Sequence, residues 1–112
     1  DLAPGVPVIG FPRGAGGGYA GFITGTGVAG CALDAAVDPA WATRTLTAGV
    51  CLQGNLDPLL LVTGGPALDQ ATRACVAAVA GQPHVFNLGH GITPDADPAN
   101  VERMLRVIRD GI

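Results

Sequence analysis

The chain alternates short apolar runs with longer segments in which apolar side chains recur every third or fourth residue. The runs are rich in strand-forming residues, and each ends at a small or turn-forming residue; they cover residues 6–11, 28–33, 50–52 and 84–88. Continuous apolar runs of this length are typical of parallel strands that are covered on both faces. The pattern therefore predicts four parallel strands.

The segments between these runs carry helix signals. The clearest helix begins at Asp97, which can cap it, and Pro98, which suits the first helical position. Apolar side chains then follow at helical spacing as far as Gly111, where we expect the helix to stop. Three further helices are predicted. One covers residues 14–26, one begins at Asp38-Pro39, and one covers roughly residues 66–80. The order is βα repeated four times, which predicts an α/β fold in a single segment over residues 1–112.

The composition excludes several classes of protein. A mean hydropathy of +0.41 with a net charge of −3 does not fit a disordered chain. The 6 basic residues are dispersed along the chain and form no basic patch of the kind that binds nucleic acid. No apolar run is long enough to span a membrane and no secretion signal opens the chain, so we expect a soluble, cytoplasmic protein. The charged fraction of 13% is low enough to predict that the chain hides part of its exterior.

The cysteines do not indicate a disulfide or a metal site. Cys31, Cys51 and Cys75 are odd in number, lack Cys-x-x-Cys spacing and lie inside apolar segments. The 2 histidines and the scattered aspartates form no cluster with metal-ligand spacing. We expect buried, reduced thiols and no bound metal.

A glycine pattern, Gly16-x-Gly18-x-x-Gly21, formally matches the dinucleotide-binding fingerprint and is followed by Asp34 after the next strand. The first glycine comes too late after the strand, however, and Gly25 is expected to interrupt the helix soon after Thr24. With 18 glycines in 112 residues, chance matches are also easy. The interpretation as a dinucleotide site is therefore weak.

Polar residues follow each predicted strand at the point where a parallel sheet places its binding face. They are Arg13, then Asp34, then Gln53 and Asn55 within Gln53-Gly-Asn-Leu-Asp-Pro58, and finally Asn87-Leu-Gly-His-Gly91. Each has an ordinary structural explanation when taken alone, such as a turn or a backbone cap. Together they predict a ligand-facing rim at one end of the sheet.

His90 is the residue on this rim whose side chain type can gain or lose a proton near neutral pH. Glycines flank it and allow a ligand to approach its backbone closely. The chain contains no serine, and no cysteine has a histidine at suggestive spacing, so no nucleophile–base pair accompanies it. His90 is thus predicted to bind a ligand rather than to activate a nucleophile.

The motifs Pro7-Val-Ile-Gly-Phe-Pro-Arg-Gly14, Leu33-Asp34, Gln53–Pro58 and Asn87–Gly91 with Pro94-Asp95 resemble the carboxyl-terminal part of the uroporphyrinogen decarboxylase family. The resemblance implies a (β/α)8 TIM barrel roughly three times this length, of which this chain would form the carboxyl-terminal half with four consecutive βα units. It also implies a cytosolic homodimer that removes carboxyl groups from the four acetate side chains of uroporphyrinogen III to give coproporphyrinogen III in porphyrin and haem biosynthesis. The family uses no metal or organic cofactor.

The resemblance assigns roles to only a few residues of this chain. His90 matches the substrate-binding histidine of the family, and Arg13, Asp34, Gln53 and Asn55 are possible neighbours on the pocket rim. The family's catalytic aspartate, its arginine-bearing loop, and its tyrosine and serine contacts lie in the earlier part of the barrel. No catalytic residue is therefore expected in this segment, and the isolated chain is expected to be inactive.

Two other interpretations of the sequence stay open at this point. One is a corrinoid-linked methyltransferase of similar barrel fold, although such proteins use cysteine and histidine zinc ligands and His90 has no cysteine beside it. The other is a non-catalytic half barrel that pairs with itself. A half barrel would expose two sheet edges and an apolar lumen, which predicts self-association.

Overall fold

A computed structural model describes residues 5–46 and 49–110. They contain a four-stranded sheet whose strands are β1 (Ile9–Gly10), β2 (Gly30–Ala32), β3 (Cys51–Gln53) and β4 (His84–Val85). Every neighbouring pair is parallel, and the strands lie in the order β1-β2-β3-β4. The four predicted strands are confirmed, although each is shorter than its apolar run. Their consecutive order is that of a barrel segment, whereas a dinucleotide-binding sheet reverses its order at the binding crevice.

Helices follow each strand, as the pattern predicts. They are α1 (Tyr19–Thr26), α2 (Pro39–Thr45), α3 (Leu60–Thr63), α4 (Gly65–Ala78) and α5 (Pro98–Asp110), with a single 3-10 turn at Gly16–Gly18 before α1. The short helix α3 was not expected, because its four apolar-rich residues are too few to show helical periodicity. The predicted stop of the last helix at Gly111 lies outside the described residues.

The local chemistry explains where α1 and α2 begin and end. Asp38 caps α2, accepting a 2.9 Å hydrogen bond from the Ala40 N–H. The expectation that Gly25 interrupts α1 is wrong, because the helix continues to Thr26, whose hydroxyl donates to the Phe22 carbonyl. It ends at Gly27, where a φ of 68° requires glycine and the N–H donates to the Ile23 carbonyl.

Helices cover one face of the sheet. The larger core cluster packs α1 and α2 against β2 and β3 and comprises Tyr19, Ile23, Cys31, Leu33, Ala42, Leu46 and Leu52. A second cluster joins α3, α4 and α5 through Leu56, Leu61, Leu68 and Met104. Cys31 and Cys75 are buried free thiols, as expected, whereas Cys51 is free but only half-buried. Burial raises the pKa of the Cys31 and Cys75 thiols, so both behave as core side chains.

The opposite face of the sheet is open in this chain. A Cβ on Gly10 would collide with the Phe22 ring of α1, so the neighbouring Ile9 points away from the helices. Ile9 is 47% exposed, Phe11 46% and Val85 44%. The expectation that both faces are covered is therefore wrong for the described residues, because these three side chains remain exposed. The low charge of the chain reflects this second apolar face.

Helices α4 and α5 lie against each other and are joined by a bidentate ion pair. The Arg103 guanidinium donates to the Asp69 carboxylate from Nε at 2.8 Å and from Nη2 at 2.7 Å. This pairing lowers the pKa of Asp69. The end of the long connection that leaves β4 and contains His90 is held by the Asp97 N–H, which donates to the Leu61 carbonyl at 3.1 Å. No helix among residues 5–46 and 49–110 is long and apolar enough to cross a membrane.

Candidate ligand-binding site

A cavity of about 660 Å³ opens at the carboxyl ends of the strands. All four strand-to-loop junctions contribute to its wall, as the rim prediction requires; the lining residues are Arg13, Ala35, Ala36, Asp57, Pro58, Leu59, His90, Gly91 and Thr93. The structure therefore brings Arg13 and His90 to one cavity, although 77 positions separate them in the chain (90 − 13). Two side chains that can carry positive charge at one opening are suited to bind an anion.

Gly89 determines where His90 lies. The Gly89 N–H donates to the Leu56 carbonyl at 2.8 Å, which ties the loop after β4 to the loop after β3. A Cβ on Gly89 would run into the backbone of Ala35, in the loop after β2. Only glycine permits this contact, so the Asn-Leu-Gly-His-Gly motif needs Gly89 in order to seat His90 beside Ala35.

His90 also lines a second, neighbouring cavity of about 500 Å³. The walls of this second cavity are largely apolar and include Phe11, Ala32, Leu61, Ile92 and Met104. One imidazole thus borders both an apolar space and the charged space that Arg13 lines. Such an arrangement fits a ligand with an apolar body and an anionic substituent.

Asp34 is buried, with 4% of its surface exposed, and its carboxylate is fully engaged by the protein. Oδ2 accepts from the Gly14 N–H at 2.8 Å and from the Tyr19 hydroxyl, while Oδ1 accepts from the Ala36 N–H at 3.0 Å. The Gly14 hydrogen bond contributes most to lowering the pKa of Asp34, and the nearby His90 contributes a smaller part. Asp34 therefore holds the loops that carry Arg13 and Ala36 rather than facing the cavity itself.

Tyr19 completes this network and was missed at the level of sequence. Its hydroxyl lies 3.2 Å from the Asp34 carboxylate and 3.1 Å from the Asp34 backbone nitrogen. Burial and the adjacent carboxylate raise the pKa of Tyr19, which keeps the phenol protonated and able to donate. The sequence does offer one signal for Tyr19: it is the 1 tyrosine of the chain, and it lies at the start of a helix, one strand before Asp34.

Asn55 and Gln53 are not brought to His90. The Asn55 side chain is buried and donates from Nδ2 to the Asp34 carbonyl at 2.9 Å and to the Val37 carbonyl. It lines a different cavity, between α2 and α4, together with Cys75. Gln53 ends β3, its carbonyl accepts from the Leu33 N–H, and it lines neither of the cavities beside His90. Asn55 is thus a brace between two loops, and the rim role of Gln53 stays a prediction.

The described residues contain no group of three or more metal-ligating side chains. The polar residues that line the cavity beside His90 are Arg13, Asp57 and Thr93. The Asp57 carboxylate is held in its own turn by the Leu59 N–H, from which it accepts at 3.0 Å, and it is the acidic group among the charged residues of this wall. The arrangement can therefore orient an anionic ligand through hydrogen bonds and charge.

Parallel strands in consecutive order, covered by helices on one face and opening to a cavity at their carboxyl ends, are the arrangement of a segment of a (β/α) barrel. The family model for uroporphyrinogen decarboxylase matches residues 1–111, and the chain belongs to this family. The resemblance seen in the motifs is thereby confirmed, and the match favours this family over the corrinoid-linked methyltransferases.

Curated relatives agree with this assignment. The chain is 57% identical to the uroporphyrinogen decarboxylase of Roseobacter denitrificans over 106 residues, which are 95% of this chain and 31% of the relative. The corresponding protein of Ruegeria pomeroyi is 56% identical over 108 residues, or 96% of this chain and 31% of the relative. The chain therefore spans about a third of the length of these relatives while containing four of the strands of a barrel.

Proposed function

We propose that this chain supplies the His90 side of the substrate site in a uroporphyrinogen decarboxylase. This carboxy-lyase converts uroporphyrinogen III to coproporphyrinogen III in haem biosynthesis and requires no metal or organic cofactor. The observation that carries the proposal is that His90 and Arg13 line one cavity at the carboxyl ends of the strands. The segment corresponds to the carboxyl-terminal part of the enzyme.

The shape of the site supports a tetrapyrrole as the ligand. A porphyrinogen has an apolar macrocycle with carboxylate side chains around its edge. The cavity that contains Phe11 and Met104 suits the macrocycle, and the adjoining cavity that contains Arg13 suits a carboxylate. His90 stands between them and donates a hydrogen bond to that carboxylate, which fixes the orientation of the ring.

The reaction needs binding groups and a separate source of catalysis. A protonated pyrrole accepts the electron pair of the breaking carbon–carbon bond, carbon dioxide leaves, and the remaining exocyclic carbon then takes a proton as the ring loses its own. His90 and Arg13 hold the carboxylates in register for this sequence. The catalytic aspartate that the family resemblance implies is expected in the rest of the barrel, so the isolated segment binds substrate without turning it over.

The assembled enzyme is a cytoplasmic homodimer in this proposal, and the rest of its barrel covers the open face of the sheet. The exposed side chains of Ile9, Phe11 and Val85 support this arrangement, since apolar side chains on a barrel lumen are normally packed in layers. When the segment is alone, the same face makes it self-associate.

A chimeric enzyme tests the proposal. Residues 1–112 replace the matching third of the Roseobacter denitrificans relative, and decarboxylation of uroporphyrinogen is measured. We expect the chimera to be active and His90→Ala to lower its kcat/KM about 10- to 100-fold, as for loss of a hydrogen bond to a charged group. Gln70→Ala, on the exposed side of α4, is the control and leaves the rate unchanged. An active chimera that does not need His90 contradicts the proposal.

A further inference from the structure

Two buried polar atoms lie close together in the chain without a hydrogen-bond partner among the described residues. They are Nδ1 of His90 and the hydroxyl oxygen of Thr93. Both residues belong to the connection between β4 and α5, and both line the cavity that contains Arg13. Buried polar atoms are nearly always paired, so two unpaired atoms three positions apart in one loop call for an explanation.

The backbone on either side of this pair is fixed. Gly89 is held by its hydrogen bond to Leu56 and its close approach to Ala35. At the other end, the Thr93 carbonyl accepts from the Ala96 N–H at 3.1 Å, and Pro94 occupies the position of that turn which favours proline. Both ends of the connection are therefore held in place, and the two unpaired atoms lie on the short backbone segment between them.

Two other side-chain acceptors in these loops already have donors. The Asp34 carboxylate accepts from Gly14, Ala36 and Tyr19, and the Asn87 side-chain oxygen accepts from the Leu88 N–H at 2.8 Å. Thr93 alone among the polar side chains of this loop has a shielded oxygen and no partner within the described residues. Its hydroxyl can donate as well as accept.

We propose that Thr93 is a positioning residue for His90, its hydroxyl donating a hydrogen bond to Nδ1 of the imidazole. This bond keeps the imidazole hydrogen on Nε2, the nitrogen left for the cavity. A neutral His90 can then donate to a substrate carboxylate. The inference rests on the proposed function only in taking a carboxylate as the ligand of His90.

Nitrogen NMR of the 112-residue chain measures directly which nitrogen of the His90 imidazole carries the hydrogen. The Nε2 atom of His84 lies 2.7 Å from the Gly54 carbonyl, so His84 is also expected to carry its hydrogen on Nε2, and the His90 signals are assigned by their loss in His90→Ala. We expect the neutral His90 ring to carry its hydrogen on Nε2 in the native chain and in Thr93→Ser. In Thr93→Val, which keeps the shape without the hydroxyl, both tautomers are populated. A native His90 that carries its hydrogen on Nδ1, or a tautomer unchanged by Thr93→Val, overturns the inference.

Binding of uroporphyrin, followed by fluorescence, gives a second measurement. We expect Thr93→Val to weaken binding about five- to tenfold, as for loss of one hydrogen bond. Thr93→Ser keeps the hydroxyl and should bind like the native chain. Thr24→Val, on the exposed side of α1, is the control and should have no effect. If His90→Ala binds uroporphyrin as well as the native chain, the proposed function fails. If His90→Ala loses binding but Thr93→Val does not, only the role of Thr93 fails.

Discussion

The Tyr19 hydroxyl is bonded twice to Asp34, donating to the carboxylate at 3.2 Å and accepting from the backbone N–H at 3.1 Å. Through this one residue, the start of α1 is fixed to the end of β2. Because the same carboxylate also accepts from Gly14, the loop that carries Arg13 depends on Tyr19 as well. The position of a cavity-lining arginine is thus set by buried groups that do not themselves line the cavity.

Tyr19→Phe tests this network. The substitution keeps the ring in the core but leaves the Asp34 N–H without its acceptor and removes one donor from the carboxylate. We expect the free energy of unfolding to fall by about 1–2 kcal/mol, measured by urea denaturation. Thr26→Val removes an exposed hydroxyl bond from the same helix and serves as the control, with a loss below about 0.5 kcal/mol. Equal losses for the two variants would contradict a buried network.

Asp34 makes the stability of the chain sensitive to acid. Its pKa is lowered in the folded protein, chiefly by the Gly14 N–H, so the folded state favours the charged carboxylate. That contribution is complete above the ordinary aspartate pKa of about 4 and is lost as the pH falls through the lowered value. We expect Asp34→Asn to be less stable at pH 7 by about 2–3 kcal/mol and to lose less stability on acidification. A native-like acid profile in Asp34→Asn would count against this assignment.

Alanine substitutions at Gly89 and Gly91, the two glycines that flank His90, form a matched pair. A side chain at Gly89 meets the Ala35 backbone, whereas one at Gly91 meets nothing within 4 Å. Gly89→Ala should therefore destabilise the chain by at least about 2 kcal/mol and shift the His90 NMR signals. Gly91→Ala should leave both nearly unchanged. The prediction is wrong if the two variants behave alike in thermal denaturation and in their spectra.

The open face of the sheet predicts association of the isolated chain. Ile9, Phe11 and Val85 expose apolar surface that a single copy of the segment does not cover. Sedimentation velocity at micromolar concentration should show species larger than a monomer, and Phe11→Glu should reduce them. Leu105→Glu, at an exposed apolar position on α5, is the control. A folded chain that stays strictly monomeric would contradict the prediction.

Much of the fold was predictable because strands and caps leave local signals. The four apolar runs gave the four strands, and Asp38 and Pro98 lie where α2 and α5 begin. The open face was not predictable from the runs themselves, because an apolar run looks the same whether a helix or another part of a barrel covers it. The extent of α1 was misjudged because its packing against the sheet outweighs the low helix propensity of Gly25.

The site was predictable in part. Strand-end position correctly brought Arg13 and His90 to one cavity, since the ends of parallel strands converge. The same rule placed Asn55 on the rim, but its side chain turns towards the helices to bond the Asp34 and Val37 carbonyls. Side-chain direction in an irregular loop depends on such tertiary partners, which the sequence pattern does not show.

Binding of a carboxylated porphyrin tests the central claim most directly. Fluorescence titration of the 112-residue chain compares uroporphyrin with its methyl ester, which has the same ring and no negative charge. We predict that the native chain binds uroporphyrin well above the ester, and that His90→Ala and Arg13→Ala each reduce this preference about tenfold while circular dichroism stays native. Equal binding of the acid and the ester, or a preference that survives both substitutions, would contradict a carboxylate site at His90.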